Sequence, residues 1–238
     1  MQQESLFVGM FDILGFSKLV MEQPFMEALR KLESLVRLAR WSATVPVLGS
    51  HGVIIEEVPH VLFSDTLLCW SRDDRLDVDS FLSACAELHA RAFEADILLR
   101  GAIAYGECSI RPSDHIYVGR PLVWCTALEK CQDWFGTALH RSCLQAPNAG
   151  PQIGRMDSVC GYAIPIKPGH VEDAASRLAL ADVSPLAIKW TDRTQNAVGK
   201  LEAMPASNEP STQRKIAHTL QFARHVASLA PGSGRDDT

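Results

Sequence analysis

An apolar run that ends in a carboxylate occupies residues 6–17, with the sequence LFVGMFDILGFS. Its first part, Leu6 to Met10, predicts a short strand, and Gly15 marks a turn just after Asp12. A helical period follows over Pro24 to Arg40, with its apolar residues in a broad stripe. This part of the chain therefore predicts a strand, a turn and a helix that covers one face of a sheet.

The next segments extend the pattern. Gly52 to Val61 and Leu67 to Trp70 predict a β-hairpin with Asp65 at its tip, after a loop at Pro46 to Gly52. Asp77 to Phe93 has a helical period, and Leu98 to Tyr105 predicts another strand. The order βαββαβ is that of a split βαβ unit, with both helices on one face of an antiparallel sheet. We therefore expect an α+β protein of the ferredoxin-like class.

The second half of the chain adds further elements. Tyr117 to Asp133 predicts a turn that opens a third helix at Gly119-Arg120-Pro121, because proline is favoured in a first helical turn. Additional strands are expected at Thr137 to His140, Tyr162 to Ile166 and Leu186 to Trp190. We expect residues 1–190 to form the main domain, and residues 191–238 to form a polar linker, a C-terminal helix and a frayed tail.

Composition narrows the function classes. The 238 residues are 47% apolar and 21% charged, which is typical of a globular protein. A net charge of −5 argues against a broad nucleic-acid surface, and seven cysteines without a C-x-x-C pair argue against zinc or a disulfide framework. No apolar run approaches the roughly 20 residues of a membrane helix, and the N-terminus lacks a signal-peptide pattern. We expect a cytoplasmic protein with neither nucleic acid nor membrane as a partner.

Two carboxylates are the strongest candidates for chemistry, namely Asp12 at the end of the first strand and Asp65 at the hairpin tip. Their strands are neighbours in a split βαβ sheet, so both side chains can meet at one edge and hold hard cations bound to phosphates. The turn Ile13-Leu14-Gly15-Phe16-Ser17 enters a helix, so its backbone N–H groups can hold phosphate oxygens. Either motif in isolation favours a turn-capping role over a catalytic one.

Taken together, four segments resemble in order and spacing the catalytic domain of class III nucleotidyl cyclases. They are Phe11 to Ser17, Phe63 to Thr66, Arg100 to Ile103 with Gly106, and Gly119 to Glu129. The resemblance implies a homodimer with two sites at its interface, in which Asp12, Asp65 and the backbone carbonyl of Ile13 bind two Mg²⁺ or Mn²⁺ ions. It also implies attack of the ribose 3′-hydroxyl on the α-phosphate, which releases pyrophosphate and leaves a 3′,5′-cyclic nucleotide.

Base recognition departs from the purine cyclases. Where they carry polar base-reading residues, this chain has Leu62 and Ile116. A purine edge would therefore lack hydrogen-bond partners, at about 1–3 kcal/mol for each unpaired group. The pyrimidine cyclases of the bacterial Pycsar anti-phage system fit this departure, and the resemblance to them implies UTP or CTP as substrate, with UTP preferred on family grounds. Tyr117 is a candidate partner for the base, and a separate effector protein would read the cyclic product.

A second departure concerns the transition state. The family's Asn and Arg on the third helix fall at Val123 and Ala127, and the loss of such donors typically costs about 10²–10³ in rate. Arg100 and Arg120 are candidate replacements. Four hypotheses about function therefore remain: a uridylate cyclase, a cytidylate cyclase, a purine cyclase with an unusual pocket, and an inactive nucleotide-binding or dimerisation module.

Overall fold

The structure is a computed structural model that describes residues 4–42, 44–49, 52–73, 75–168, 183–205 and 208–229. The strands are β1 (Glu4–Ile13), β2 (Thr44–Gly49), β3 (Gly52–Glu57), β4 (His60–Phe63), β5 (Thr66–Arg72), β6 (Leu99–Arg111), β7 (Ile116–Gly119), β8 (Thr137–His140), β9 (Val159–Gly161) and β10 (Val183–Ile188). The helices are α1 (Phe16–Glu22), α2 (Phe25–Ser42), α3 (Arg75–Glu94), α4 (Arg120–Cys131), α5 (Ala197–Glu202) and α6 (Pro210–Leu229).

The main sheet is eight-stranded and mostly antiparallel, which confirms the predicted mixed α+β class. Its strands follow the order β4-β5-β1-β6-β8-β10-β9, and β7 pairs with the far end of β6. The pairing of β6 with β8 is parallel, whereas β1 is antiparallel to both β5 and β6. The assignment to the ferredoxin-like class stays a prediction.

Side chains of β1 alternate between two different environments. Phe7, Phe11 and Ile13 are buried in the main apolar core, which α2 and α3 cover. Leu6 and Val8 belong to a second cluster on the opposite face, where Cys125 Sγ of α4 donates to the carbonyl of Val8 at 3.3 Å. Because side chains of a strand alternate with a period of two, Asp12 shares its face with Leu6 and Val8 and therefore faces α4.

The predicted strand Gly52 to Val61 is wrong as a single element. It is split into β3 and β4 by a break at Val58-Pro59, because proline has no N–H to continue a ladder. β3 pairs instead with β2 in a separate two-stranded sheet. The loop predicted at Pro46 to Gly52 is therefore a strand over its first residues.

Two further predictions need correction in the second half of the chain. The third helix opens at Arg120, as predicted, but the turn expected before it at Tyr117 is part of strand β7, because Ile116–Gly119 pairs with β6. Tyr162 to Ile166 is not a strand. Only the bridge between Gln132 and Ile166 forms there, next to Pro165, while β9 lies just before this segment. The predicted tail at Pro231 to Thr238 lies outside the described residues.

The C-terminal helix α6 packs against the main body of the protein. Phe222, Ala223 and Val226 are buried in the main core, and the ring of Phe222 meets Trp134 edge-on with centroids 4.8 Å apart. The predicted polar linker contains α5, whose Leu201 is also buried in that core. The division into residues 1–190 and 191–238 stays a prediction, but α6 is positioned by tertiary contacts.

All seven cysteines are buried and unpaired. Burial raises the pKa of the thiols of Cys85, Cys125 and Cys143. These residues therefore act as small apolar side chains in the core. Within the described segments, no helix has both the length and the apolar character that crossing a membrane requires.

Candidate functional site

The side chains of Asp12 and Asp65 meet at one edge of the sheet. Asp12 is paired with Thr66 near the end of β1, and the hairpin between β4 and β5 turns at Ser64 and Asp65. The backbone closes this corner, because Ile13 N–H donates to the carbonyl of Asp65 at 3.2 Å. The two carboxyl groups are close enough that Asp65 raises the pKa of Asp12. The juxtaposition expected from the sequence is therefore present.

The electrostatic environment of Asp12 favours its neutral form. Burial raises its pKa to about 7, the negative charges of Glu129 and Asp65 add to the rise, and the guanidinium of Arg100 opposes it. Two neighbouring carboxyl groups repel each other when both are ionised, and a nearby positive charge relieves this repulsion. The pair is therefore suited to bind cations, which would allow both groups to ionise.

Arg100 lies directly beside this pair. It stands opposite Asp12 in the pairing of β1 with β6, and its Nη2 is 3.7 Å from Asp12 Oδ2. The same guanidinium forms a buried ion pair with Glu129 of α4, and its Nη1 is 3.5 Å from the carbonyl of Gln132. Glu129 therefore holds Arg100 in a fixed position facing the carboxylates. Glu129 lies at the end of the fourth segment of the motif resemblance, and its sequence position alone does not indicate this contact.

The other predicted replacement, Arg120, is exposed at the start of α4. On the same helix the side chain of Val123 is 67% exposed, and Ala127 is half-buried. Neither can donate a hydrogen bond to a ribose or a phosphate. Of the two predicted replacements, Arg100 is therefore the one that lies beside the carboxylate pair of the same chain.

The turn after Asp12 offers fewer free donors than its sequence suggested. Ile13 N–H is bonded to Asp65, as described, and Leu14 N–H donates to the carbonyl of Leu98 at 2.9 Å. Gly15 has a left-handed φ of 78°, and the chain then enters α1 at Phe16 and Ser17. Only the N–H groups of these last three residues remain for phosphate oxygens. A cavity of about 280 Å³ adjoins the turn, and Lys18 and Lys31 line part of it.

The predicted base-recognition residues are far apart within one chain. Leu62 lies on β4 and packs against the main core. Ile116 and Tyr117 lie on β7, and Tyr117 packs in the cluster on the opposite face of the sheet. Strands β5, β1 and β6 separate β4 from β7. A pocket that uses both groups therefore requires a second copy of the chain.

Two lysines lie near Arg100, and no motif in the sequence predicts that they do. Lys167 follows the bridge residue Ile166, and its pKa is lowered by burial and by the charge of Arg100. Lys215 belongs to α6, and its pKa is lowered by the same two causes. Both positions depend on long-range docking, which neither motif nor spacing indicates.

Comparisons with known proteins give matches in solved structures only. A scan against protein-family models found no match, and a search of curated proteins found none. Two structures of a bacterial light-regulated adenylyl cyclase superpose with TM-scores of 0.46 and 0.45, at 14% and 12% identity. Each superposition covers 62% of this chain, and they cover 46% and 81% of the respective matched chains.

A third structure, a class III adenylyl cyclase-like ATP-binding protein from Pseudomonas aeruginosa, superposes with a TM-score of 0.41 at 15% identity. That superposition covers 60% of this chain and 35% of the matched chain. Fold and site together define an α+β protein with a partly buried carboxylate pair at the edge of its sheet.

Proposed function

We propose that this protein is a nucleotidyl cyclase that converts a pyrimidine nucleoside triphosphate, preferably UTP, into its 3′,5′-cyclic monophosphate and pyrophosphate. The contact between the carboxyl groups of Asp12 and Asp65, with Arg100 beside them, carries the proposal. The motif resemblance to class III cyclases supplies the reaction. The cyclic product would act as an anti-phage second messenger that a separate effector reads.

The donor set fits Mg²⁺ or Mn²⁺. Carboxylate oxygens are the ligands these hard cations prefer, and magnesium sites commonly use one or two carboxylates, with water and substrate phosphates completing the shell. Among the described residues no group of three or more His, Cys, Asp or Glu is placed to form a closed cage. Asp12, Asp65 and the Ile13 carbonyl would hold two ions, which supply Lewis acidity toward the 3′-hydroxyl and the phosphates.

The remaining chemistry comes from the chain itself. The oxygen of the ribose 3′-hydroxyl bonds to the α-phosphorus, and the bond from that phosphorus to the bridging oxygen of the β-phosphate breaks. The hydroxyl proton passes to solvent, and pyrophosphate leaves. Arg100, fixed by Glu129, places positive charge beside the phosphates as negative charge develops on them. The N–H groups of Gly15, Phe16 and Ser17 would orient the phosphate chain.

A homodimer would complete the base pocket, since Leu62 and Tyr117 lie on distant strands of one chain. Exposed apolar side chains support a second copy as the partner. Val118 is 60% exposed, Val123 67% and Phe63 80%. Patches of this kind are typical of surfaces that bind another protein. Apolar Leu62 and Ile116 would favour the smaller pyrimidine ring over a purine.

A second candidate function is a nucleotide-binding or dimerisation module without turnover. The observation that favours it is the absence of a hydrogen-bond donor at Val123 and Ala127. Such a module would bind a triphosphate and Mn²⁺ through the same carboxylates but would release no pyrophosphate.

Incubation of the protein with equimolar ATP, GTP, CTP and UTP and with Mn²⁺ tests the proposal, with products identified by mass spectrometry. We expect cyclic UMP or cyclic CMP to form at least about 10-fold faster than either purine product, the ratio that about 1.4 kcal/mol of discrimination gives. A purine nucleotide as the best substrate would overturn the pyrimidine assignment. Binding of triphosphates without any cyclic product would favour the inactive module.

A further inference from the structure

The first half of α6 is fixed beside the carboxylate site by contacts with two separate segments. Just before the helix, Glu209 Oε1 lies 3.4 Å from the Nζ of Lys18 on α1. Further along, Arg214 Nε donates to Asp133 Oδ2 at 3.0 Å, and His218 Nδ1 lies 2.7 Å from the carbonyl of Asp133. Asp133 follows Gln132, whose carbonyl contacts Arg100. The helix therefore extends from the phosphate-side helix α1 to the residues that support Arg100.

Lys215 lies on the inner side of this part of α6. Thr219, one turn later, is buried and accepts a hydrogen bond from Phe135 N–H at 2.8 Å. Residues four apart lie on the same helix face, so Lys215 also faces the body of the protein. Side chains of a helix tilt toward its N-terminus, which here is the end attached to α1. Lys215 is half-buried, and Arg100 is close enough to lower its pKa.

The two carboxylates that act on Lys215 are each paired with another cation, since Asp133 is bonded to Arg214 and Glu209 lies beside Lys18. Arg100 is paired with Glu129 and lies near Asp12, and Arg214 is paired with Asp133. Lys167 donates to the carbonyl of Lys130 at 2.6 Å. In the described parts of the chain, Lys215 Nζ has no hydrogen bond or ion pair. Besides burial, Arg100 and Lys215 both lower the pKa of Lys167, so these three cations lie close together, and an anion bound among them would reduce their repulsion.

We infer that Lys215 binds the β- and γ-phosphates of the nucleotide whose metal ions Asp12 and Asp65 of the same chain hold. The inference rests on the proposed function and adds a phosphate-binding residue to it. Breakage of the bond between the α-phosphorus and the bridging oxygen leaves negative charge on the pyrophosphate. An ammonium group at that position stabilises the charge as it develops. Lys215 thus supplies in cis a positive charge that Ala127 of α4 lacks.

The test compares Lys215→Ala with Lys215→Arg and with Arg224→Ala. Arg224 is a matched control, because it is a cation nine residues further along α6 and is paired with Glu202 at the surface. Steady-state kinetics with the best nucleotide and Mn²⁺ give KM and kcat. Calorimetry gives the affinity for inorganic tripolyphosphate, for pyrophosphate and for the cyclic product. Melting curves verify that each variant is folded, and Lys215→Gln replaces the alanine variant if it is not.

We expect Lys215→Ala to raise KM about 10-fold and to weaken tripolyphosphate and pyrophosphate binding about 10-fold, the equivalent of one charge-assisted hydrogen bond. The affinity for the cyclic product, which has no β- or γ-phosphate, should not change. Lys215→Arg should retain most of the wild-type values. Unchanged pyrophosphate affinity in Lys215→Ala would contradict the inference, because the β- and γ-phosphates leave as pyrophosphate.

The experiment distinguishes failure of this inference from failure of the proposed function. If the wild-type protein forms a cyclic nucleotide and Lys215→Ala matches Arg224→Ala in KM, kcat and tripolyphosphate affinity, the inference is wrong and the cyclase proposal survives. If the wild-type protein forms no cyclic nucleotide but binds tripolyphosphate through Lys215, the polyphosphate site is real and the cyclase proposal is wrong.

Discussion

On one face of β1 the rings of Phe7 and Phe11 are completely buried in an apolar core, whereas on the opposite face the same strand ends in Asp12 among charged side chains. The first face contains the contacts that stabilise the sheet under α2 and α3. The second face, under α4, carries the Arg100–Glu129 ion pair and the carboxyl pair. The two sets of side chains alternate along one strand. Substitutions on the charged face should therefore reduce activity, whereas substitutions on the apolar face, only a few residues away, should reduce stability.

The largest effect is expected at the charged face. Asp12→Asn and Asp65→Asn should each reduce cyclase activity by about 10³-fold or more, because a neutral amide is a poor ligand for a hard cation and the two-ion arrangement fails. Pyrophosphate release with Mn²⁺ and the preferred nucleotide measures this loss.

Asp157→Asn is the matched control, since Asp157 is an exposed carboxylate elsewhere in the chain. This variant should keep wild-type activity, and all three proteins should show cooperative melting. Turnover near the wild-type rate in either the Asp12 or the Asp65 variant would contradict the two-ion assignment.

The apolar face should respond in stability rather than in activity. Phe7→Ala removes a completely buried ring that also contacts Tyr105 at a centroid distance of 4.9 Å. The free energy of unfolding should fall by about 3–5 kcal/mol, as for other buried phenylalanines. Denaturant titration measures this loss, and kcat measured well below the melting temperature should stay within about 3-fold of wild type, because the loss falls on stability rather than on transition-state binding.

Phe25→Ala provides the comparison, because the Phe25 side chain is 71% exposed. Its effect on unfolding should stay within about 0.5 kcal/mol, as for ordinary surface substitutions. Equal losses for Phe7→Ala and Phe25→Ala would show that the first face of β1 does not dominate stability.

The smallest effect over the range pH 5 to pH 8 concerns the pH dependence of stability, which has opposite signs on the two faces. His89, on the apolar side, is 1% exposed, stacks on Trp190 and has a pKa lowered by burial to about 3. The unfolded chain binds a proton there below about pH 6.5 and the folded chain does not, so stability falls with falling pH by about 1.4 kcal/mol per unit between these values. Asp12, whose pKa is raised to about 7, acts in the other direction, and its charge destabilises the fold as pH rises toward 7 in the absence of metal.

Urea titrations of wild type, His89→Gln and Asp12→Asn between pH 5 and pH 8 separate the two contributions. The His89→Gln variant should lose part of the stability decrease below about pH 6.5, and Asp12→Asn should lose part of the decrease toward higher pH. Added Mn²⁺ should stabilise the wild type above pH 7 and not the Asp12 variant. Parallel pH profiles for all three proteins would contradict both assignments.

The elements predicted well are those with a strong local signal. The regular periods of Pro24 to Arg40 and Asp77 to Phe93 correspond to α2 and α3, and the hairpin tip at Asp65 follows from turn formers between two apolar runs. These features together place Asp12 and Asp65 at one edge, as the structure does. Local pattern failed at Pro59 and Pro165, where a missing N–H ends or interrupts strand pairing within an otherwise strand-like run.

The parts of the site that the sequence could not predict depend on long-range packing. Glu129 is 29 residues from Arg100 in the chain, and the pairing requires α4 to lie across β6. Lys215 approaches Arg100 only because Arg214 and Thr219 attach α6 to residues 133–135. The distance between Leu62 and Tyr117 follows from the strand order, which motif spacing does not encode.

Because all seven cysteines are buried, the rate at which they react with thiol reagents measures conformational opening of the protein. The thiolate is the nucleophile that attacks thiol reagents, and in the folded state burial and the raised pKa of thiols such as Cys125 both suppress this reaction. Alkylation by a maleimide or a disulfide dye should therefore wait for local or global opening, and its rate measures how often each part of the core is exposed. Cys125 on α4 and Cys85 on α3 lie on opposite faces of the sheet, so their separate labelling rates would show whether the charged face opens before the apolar one.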